Sequence, residues 1–293
     1  MRSLTAFTLM VLLWAASVAG ASGCAVAAEP PAKAPEPVGR PERVIFSSNR
    51  SGEWRIWTLN PDGSQLAQLT RGTPDDSDVD PVFSPDAKRI LFTSTRGGTI
   101  GLWLMASDGS GLKRICDGDQ AEWSPDGSKI VFRRSGRLLT RDLGTGAEKT
   151  ITPEDWTLCS GPSWCPDGTS IAFACRWEAG NSVFTVAPNG GKPTKVYGEV
   201  PACEAHWSPD GKALVYETET HICTIKRDGT DNRLITYFGG VQHYARWSPD
   251  GKKLVFCQGA SEAGPWELYT IPSDGGTPVQ LTEGGSDMYP DWK

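Results

Sequence analysis

The chain has 293 residues, enough to bury a sizeable core, and a formal net charge of −6, which argues against a general nucleic-acid binder. Its 33 glycines and 22 prolines recur at regular turn sites, so they do not mark a low-complexity tract. There is no basic tract, and beyond the N-terminus no apolar run is long enough to span a bilayer.

Met1 to Gly23 has the build of an export signal: Arg2, an apolar run from Leu4 to Ala15, then small residues. Two processing routes compete. Ala21-Ser22-Gly23-Cys24 resembles a bacterial lipobox, in which Cys24 would be acylated, although Ala21 stands where leucine is usual. Ala25-Val26-Ala27 fits ordinary signal-peptidase cleavage instead. Residues 24–42 follow as a Pro-rich, stiff spacer of the kind a tethered domain needs. The N-terminus therefore predicts an exported protein, either periplasmic or an outer-membrane lipoprotein.

From Arg43 onward one short stretch keeps returning. An aromatic residue is followed by Ser-Pro-Asp-Gly and then a β-rich triplet, as in Trp123-Ser124-Pro125-Asp126-Gly127 with Ile130-Val131-Phe132. The aromatics fall at Phe83, Trp123, Trp164, Trp207, Trp247 and Trp292, with steps of 40, 41, 43, 40 and 45 residues. Proline presets the second turn position, aspartate suits the third and glycine the fourth, while the flanking triplet is a strand former. A period of roughly 40 with several strands per unit marks a propeller blade.

In chain order, Arg43 to Phe46 aligns with Arg89 to Phe92, so the domain enters at the second strand of a blade. The missing first strand is predicted from Met288 to Trp292, which closes the ring by pairing the two chain ends. Full blades follow at about 78–116, 119–152, 159–197, 202–236 and 242–282. The expectation for 43–293 is an all-β, six-bladed β-propeller, with blade three the least regular in sequence. Ala87 stands in place of the turn glycine in the first copy, and Cys165 in place of the serine in the third.

These repeats, with Ser-x-Arg after the second strand and Leu-Thr near the end of a blade, resemble the TolB-type propeller family over everything from about Arg43 to Lys293. The resemblance implies a six-bladed fold, an envelope setting and protein binding. TolB carries a separate α/β domain ahead of its propeller, whereas a Pro-rich spacer precedes the blades here, so a stand-alone family member is expected.

Candidate chemistry is sparse. No Gly-x-Ser-x-Gly elbow is present, and the three histidines make no His-Glu-x-x-His pattern, so neither a serine hydrolase nor a zincin is indicated. His206 and His221 read as packing or surface residues, and His243 is the one histidine expected near the channel. The acidic stretch from Asp75 to Asp80 lacks the glycine and distant glutamate of an EF-hand. Asp78 and Asp287 instead occupy equivalent sites, five residues before their aromatics, with Arg50 and Arg96 on loops of the same face. The plain reading is inter-blade Asp–Arg pairing, partly exposed; the alternative is calcium or ligand binding at the mouth. Asp119, Glu204 and His243 complete the channel-mouth candidates, and no metal or other cofactor is expected beyond that calcium option.

Eight cysteines include Cys24, which leaves seven for other roles. Cys159 and Cys175 flank the blade-four hairpin almost equidistantly and are the best candidate disulfide, against the alternative of buried thiols acting as small apolar residues. No Cys-x-x-Cys occurs. The reading favoured by the sequence is an exported, monomeric, non-catalytic module binding a protein or peptide partner, attached to a membrane only through a lipid. Its alternative is a carbohydrate-active enzyme or lyase, or a small-ligand or calcium-binding propeller working at the channel mouth.

Overall fold

A computed structural model describes residues 42–177, 180–198 and 201–293. The export signal, the spacer up to residue 41 and Cys24 lie outside the described residues.

Each β-rich triplet sits in the second strand of a four-stranded antiparallel sheet, and there are six such sheets. In blade two the strands are Asp78–Phe83, Arg89–Ser94, Gly101–Ala106 and Lys113–Asp117. The repeated aromatic ends the innermost strand in every blade. Blade three, the least regular in sequence, has the same four strands, ending in Glu148–Thr150. The first blade is the composite one: Asp287–Trp292 pairs antiparallel with Val44–Ser48, joining Val44 to Trp292 and Ser48 to Asp287. The innermost strands follow one another around the axis, and Asp287–Trp292 touches both Val241–Trp247 and Asp78–Phe83. The ring is thus closed by the two ends of the domain, as the repeat register requires.

The turn motif explains its own recurrence. In blade three Ser124 Oγ donates to Asp126 Oδ1 at 2.6 Å and accepts from the Lys129 amide at 2.8 Å. The Gly127 amide closes the turn on Ser124 O at 2.8 Å. Ser84, Ser208 and Ser248 make the same two bonds in their blades. Gly127, Gly168, Gly211 and Gly251 all have φ between 68° and 73°. Where Cys165 replaces the serine, Asp167 turns to Thr169 and to Arg227 of the next blade.

The Leu-Thr signature has an equally local cause. Thr70, Thr152, Thr236 and Thr282 are buried, and each accepts an amide from the first three residues of the third strand of its own blade, from Ile56, Leu138, Ile222 and Leu268. Side chains between blades form the core. Ile45 and Ile56 of blade one, for instance, pack with Phe83, Ile90, Phe92 and Met105 of blade two. Arg89 lies over the ring of Trp123 in the following blade at 4.5 Å.

Ala87 has φ 53° in the position its siblings give to glycine. A left-handed conformation costs a non-glycine residue about 1 kcal/mol. Ala87→Gly is therefore expected to stabilise the propeller by about that amount, read as a higher urea midpoint with an unchanged slope.

Candidate functional site

The six innermost strands share one irregularity. In each, the register slips at the residue three before the aromatic, where the strand bulges. Asp80, Gln120, Gly161, Glu204, Tyr244 and Tyr289 occupy that position, and all six have φ between 44° and 57°. Five of them are not glycine, so the fold holds a left-handed residue of unsuited type around its axis five times over.

Neighbouring blades secure these bulges. The Asp80 amide donates to Ser47 Oγ at 3.0 Å and the Gln120 amide to Thr93 Oγ1 at 3.3 Å. The Tyr244 amide donates to Glu217, and the Gly161 amide to Gln120 Oε1 at 3.3 Å. Residues one before the aromatic add a second set of staples: Asp291 accepts the Phe83 amide at 2.8 Å, and Ser163 accepts that of Trp207 at 3.2 Å.

The centre of the channel is polar and filled. Arg246 of blade six reaches Glu122 of blade three at 2.7 Å, so one ion pair spans opposite sides of the six-bladed ring. Only 14% and 17% of the two side chains stay exposed. Gln120 Nε2 donates to Glu204 Oε1 at 3.5 Å, and a second ion pair joins Arg133 to Asp119 through two bonds of 2.7 and 2.8 Å. Gly161 is the gap that admits Glu204, because a Cβ there would lie 2.5 Å from its Oε2. Beside these pairs lies a cavity of about 10 Å³, lined by Asp80, Gln120, Glu204, His206 and Arg246 among others. That is room for about one water molecule.

Charge in this enclosure is unbalanced. Burial pushes Asp80 up to about 6 despite Arg246. Burial, with Glu217 and Asp80 nearby, raises Glu204 to about 8. Glu122 is also raised by burial, against the pull of Arg246. Burial opposes the charge of Arg246, but Glu122, Asp291 and Asp80 hold it charged. His206 is kept neutral by burial and by Arg246, and among the described residues its Nδ1 has no hydrogen-bond partner. Tyr244 and Tyr289 face each other with ring centres 4.1 Å apart, and burial keeps both phenols protonated.

The five residues expected at the mouth are placed differently from one another. Asp78 and Asp287 are fully buried and each is bound to an arginine, Arg96 and Arg50, at 2.5 Å. Both pairs lie within a blade, not between blades, because the arginine loop follows the strand that the aspartate's own strand pairs with. They are also far less exposed than a surface reading supposes. Ser94 Oγ donates to Asp78 Oδ1 at 2.6 Å, which gives the Ser-x-Arg signature its role: it neutralises an aspartate at the start of the inner strand. Asp119 is held by Arg133, and Glu204 lies inside the channel. His243 Nδ1 meets the buried Glu217 at 2.9 Å and Nε2 meets the exposed Glu262 at 3.3 Å, across from blade five. Burial disfavours the His243 cation, but Glu217 overrides it and takes the group to about 9.

The expectation for the histidines needs correcting in one respect. His206 lines the channel cavity, which had been assigned to His243 alone. The residues the sequence missed, Asp80, Gln120, Glu122, His206, Arg246 and Asp291, stand three or one before the aromatic. Polar types recurring at those two offsets were the available signal. Among the described residues no group of three or more His, Cys, Asp or Glu side chains is disposed to hold a metal ion.

A family model for the TolB β-propeller domain matches residues 18–156 and 122–293. The chain belongs to the TolB β-propeller domain family. Among solved structures it is similar to TolB from Acinetobacter baumannii, with TM-score 0.74 and 18% identity over 85% of this chain and 66% of that one. A putative TolB from Agrobacterium tumefaciens is similar at TM-score 0.68 and 18% identity, covering 84% and 90%. An uncharacterised protein of Agrobacterium fabrum is 31% identical over 97 residues, 32% of this chain and 33% of that protein. The matched stretch is thus a third of the curated relative and just under two thirds of the Acinetobacter protein.

Two outcomes follow from the burial of these charges. Asp78→Asn removes the buried partner of Arg96 and leaves it only the longer pair to Asp76 at 3.8 Å; it is expected to cost about 2 kcal/mol, against at most about 1 for a surface pair, measured by urea unfolding. Asp80, Glu204 and His243 all have folded values above their ordinary ones of 3.8, 4.5 and 6.5. Each then favours folding at low pH and loses that contribution as pH rises through its folded value. His206, kept neutral, acts with the opposite sign below its ordinary value of 6.5, so the melting temperature should fall by several degrees between about pH 6.5 and pH 9. Glu204→Gln should make the fall shallower between about pH 6.5 and pH 8 and leave the His243 contribution, lost by about pH 9, in place.

Proposed function

We propose that the protein is an exported, non-catalytic interaction module that binds a protein or peptide partner in the bacterial cell envelope. One observation supports this most directly: the channel is bridged by Arg246 and Glu122, and the cavity beside that bridge holds only about 10 Å³. Small-molecule sites need about 300 Å³ or more. A partner must therefore be met on a face. A larger hollow, about 440 Å³ among Ser51, Glu53, Arg55, Gln68 and Arg71, is an open, polar groove at the rim of blade one, and Arg55 there already donates to Asp76 O and Thr73 O. The charged side chains at the mouth are paired with one another, which leaves the loops around them as recognition elements. The N-terminal signal pattern supports the envelope setting.

Affinity capture from a solubilised envelope fraction tests this reading, with photo-crosslinkers at Glu262 on the mouth face and at Lys212 on the turn of the opposite face. A discrete protein linked from one face and not from the other is expected. Diffuse labelling from both faces, with no discrete product, would remove the interaction-module reading.

A further inference from the structure

We propose that Cys159 and Cys175 form a disulfide that closes while blade four folds and is sealed once the blade has packed. They are Cα partners across Cys159–Trp164 and Ile171–Trp177, the first two strands of the blade. The Cys159 amide donates to Gly136 O of blade three at 2.8 Å, not across the pair. The two therefore form a non-hydrogen-bonded antiparallel pair, the kind that brings side chains closest. Their sulfurs are in contact at 2.6 Å. Both residues are 2% exposed or less, in the cluster with Val131, Leu138, Trp164 and Phe173. The other cysteines have different neighbours: Cys203 accepts from Asn181, Cys257 donates to His243 O, and Cys165 lies beside Arg227.

The order of events follows from the chemistry of exchange. One cysteine thiolate attacks a disulfide oxidant, such as oxidised glutathione or the disulfide of a thiol oxidase, and releases one thiol. The second thiolate displaces the other half, so two cysteine thiols become one disulfide and the oxidant leaves as two thiols carrying both protons. Each step needs a thiolate that the oxidant can reach. In the folded blade, burial and the adjoining Cys175 sulfur suppress the Cys159 thiolate, and the core covers both sulfurs. The exchange belongs to the open chain, and the same cover then shields the bond from reductants.

The test uses the full chain, reduced and unfolded. One portion is refolded in a buffer of oxidised and reduced glutathione. Another is refolded without oxidant, and oxidised glutathione is added afterwards. Both are then denatured and alkylated without reduction. Trypsin leaves Cys159, Cys165 and Cys175 on a single peptide, Thr150–Arg176, so cuts after Trp164 and Phe173 are needed to separate them. A 159–175 link is expected in the first portion, with both cysteines alkylated in the second, where linking should be slower by on the order of tenfold or more. Alkylation of both cysteines in the first portion, or a link to any other cysteine, overturns the bond. Equal linking in the two portions overturns the sealing.

Discussion

Six strands must converge on one axis, and every one of them does so through a bulge that opens with a left-handed residue. An unbroken pleat would run each inner strand past the axis with a uniform alternation of side chains. The bulge bends it and aims the residues three and one before the aromatic at the centre. Glycine would be the easy occupant, yet it appears only at Gly161. The other blades hold a strained polar or aromatic residue there, with a side chain of the preceding blade accepting the bulged amide in three of them. Blade-to-blade cohesion and the polar axis are thus one feature.

The axis is an electrostatic device more than an opening. Arg246 faces Glu122, Asp291 and Asp80, so a single guanidinium answers for several carboxylates. Coulombic attraction across a dry centre holds blades three and six at a fixed span, while the surplus acid is carried as protons on Glu204 and, at lower pH, Asp80. Buried ion pairs contribute little net stability compared with apolar packing, but they fix geometry, since each alternative arrangement leaves a charge unpaired. A ring whose seam is one strand pairing gains from such a cross-brace.

The fold was legible in the sequence because its devices repeat. Trp-Ser-Pro-Asp-Gly gave the turns, the aromatic spacing gave six blades, and Phe46 against Phe92 gave the register of the seam. Even the misfit at Ala87 was visible, because its siblings are glycines. Asp78 and Asp287 were found for the same reason, although their depth was not, since the repeat marks where a strand begins and not how deeply its first residue is covered. Most of the channel beyond Glu204 escaped notice, because its residues follow a position while the side chain there changes from blade to blade. Asp80, Gln120, Gly161, Glu204, Tyr244 and Tyr289 share one φ and no chemistry. Glu122 and Arg246 are 124 residues apart, and only the closed ring makes them neighbours.

A rigid frame also decides where variety can be accommodated. In the five blades whose first and second strands are consecutive, the turns between them keep one geometry, with serine, aspartate and glycine in most copies and Ala87 or Cys165 as the exceptions. The loops between second and third strands do not. Blade three turns over Ser135 and Gly136 alone, whereas blade six spends residues 260–265 on the same connection and places Glu262 there against His243. Both ends of such a loop are anchored in strands that the ring cannot let move, so loop length and charge can change without disturbing the blades. The mouth face is consequently where a partner could tell this propeller from another with the same axis.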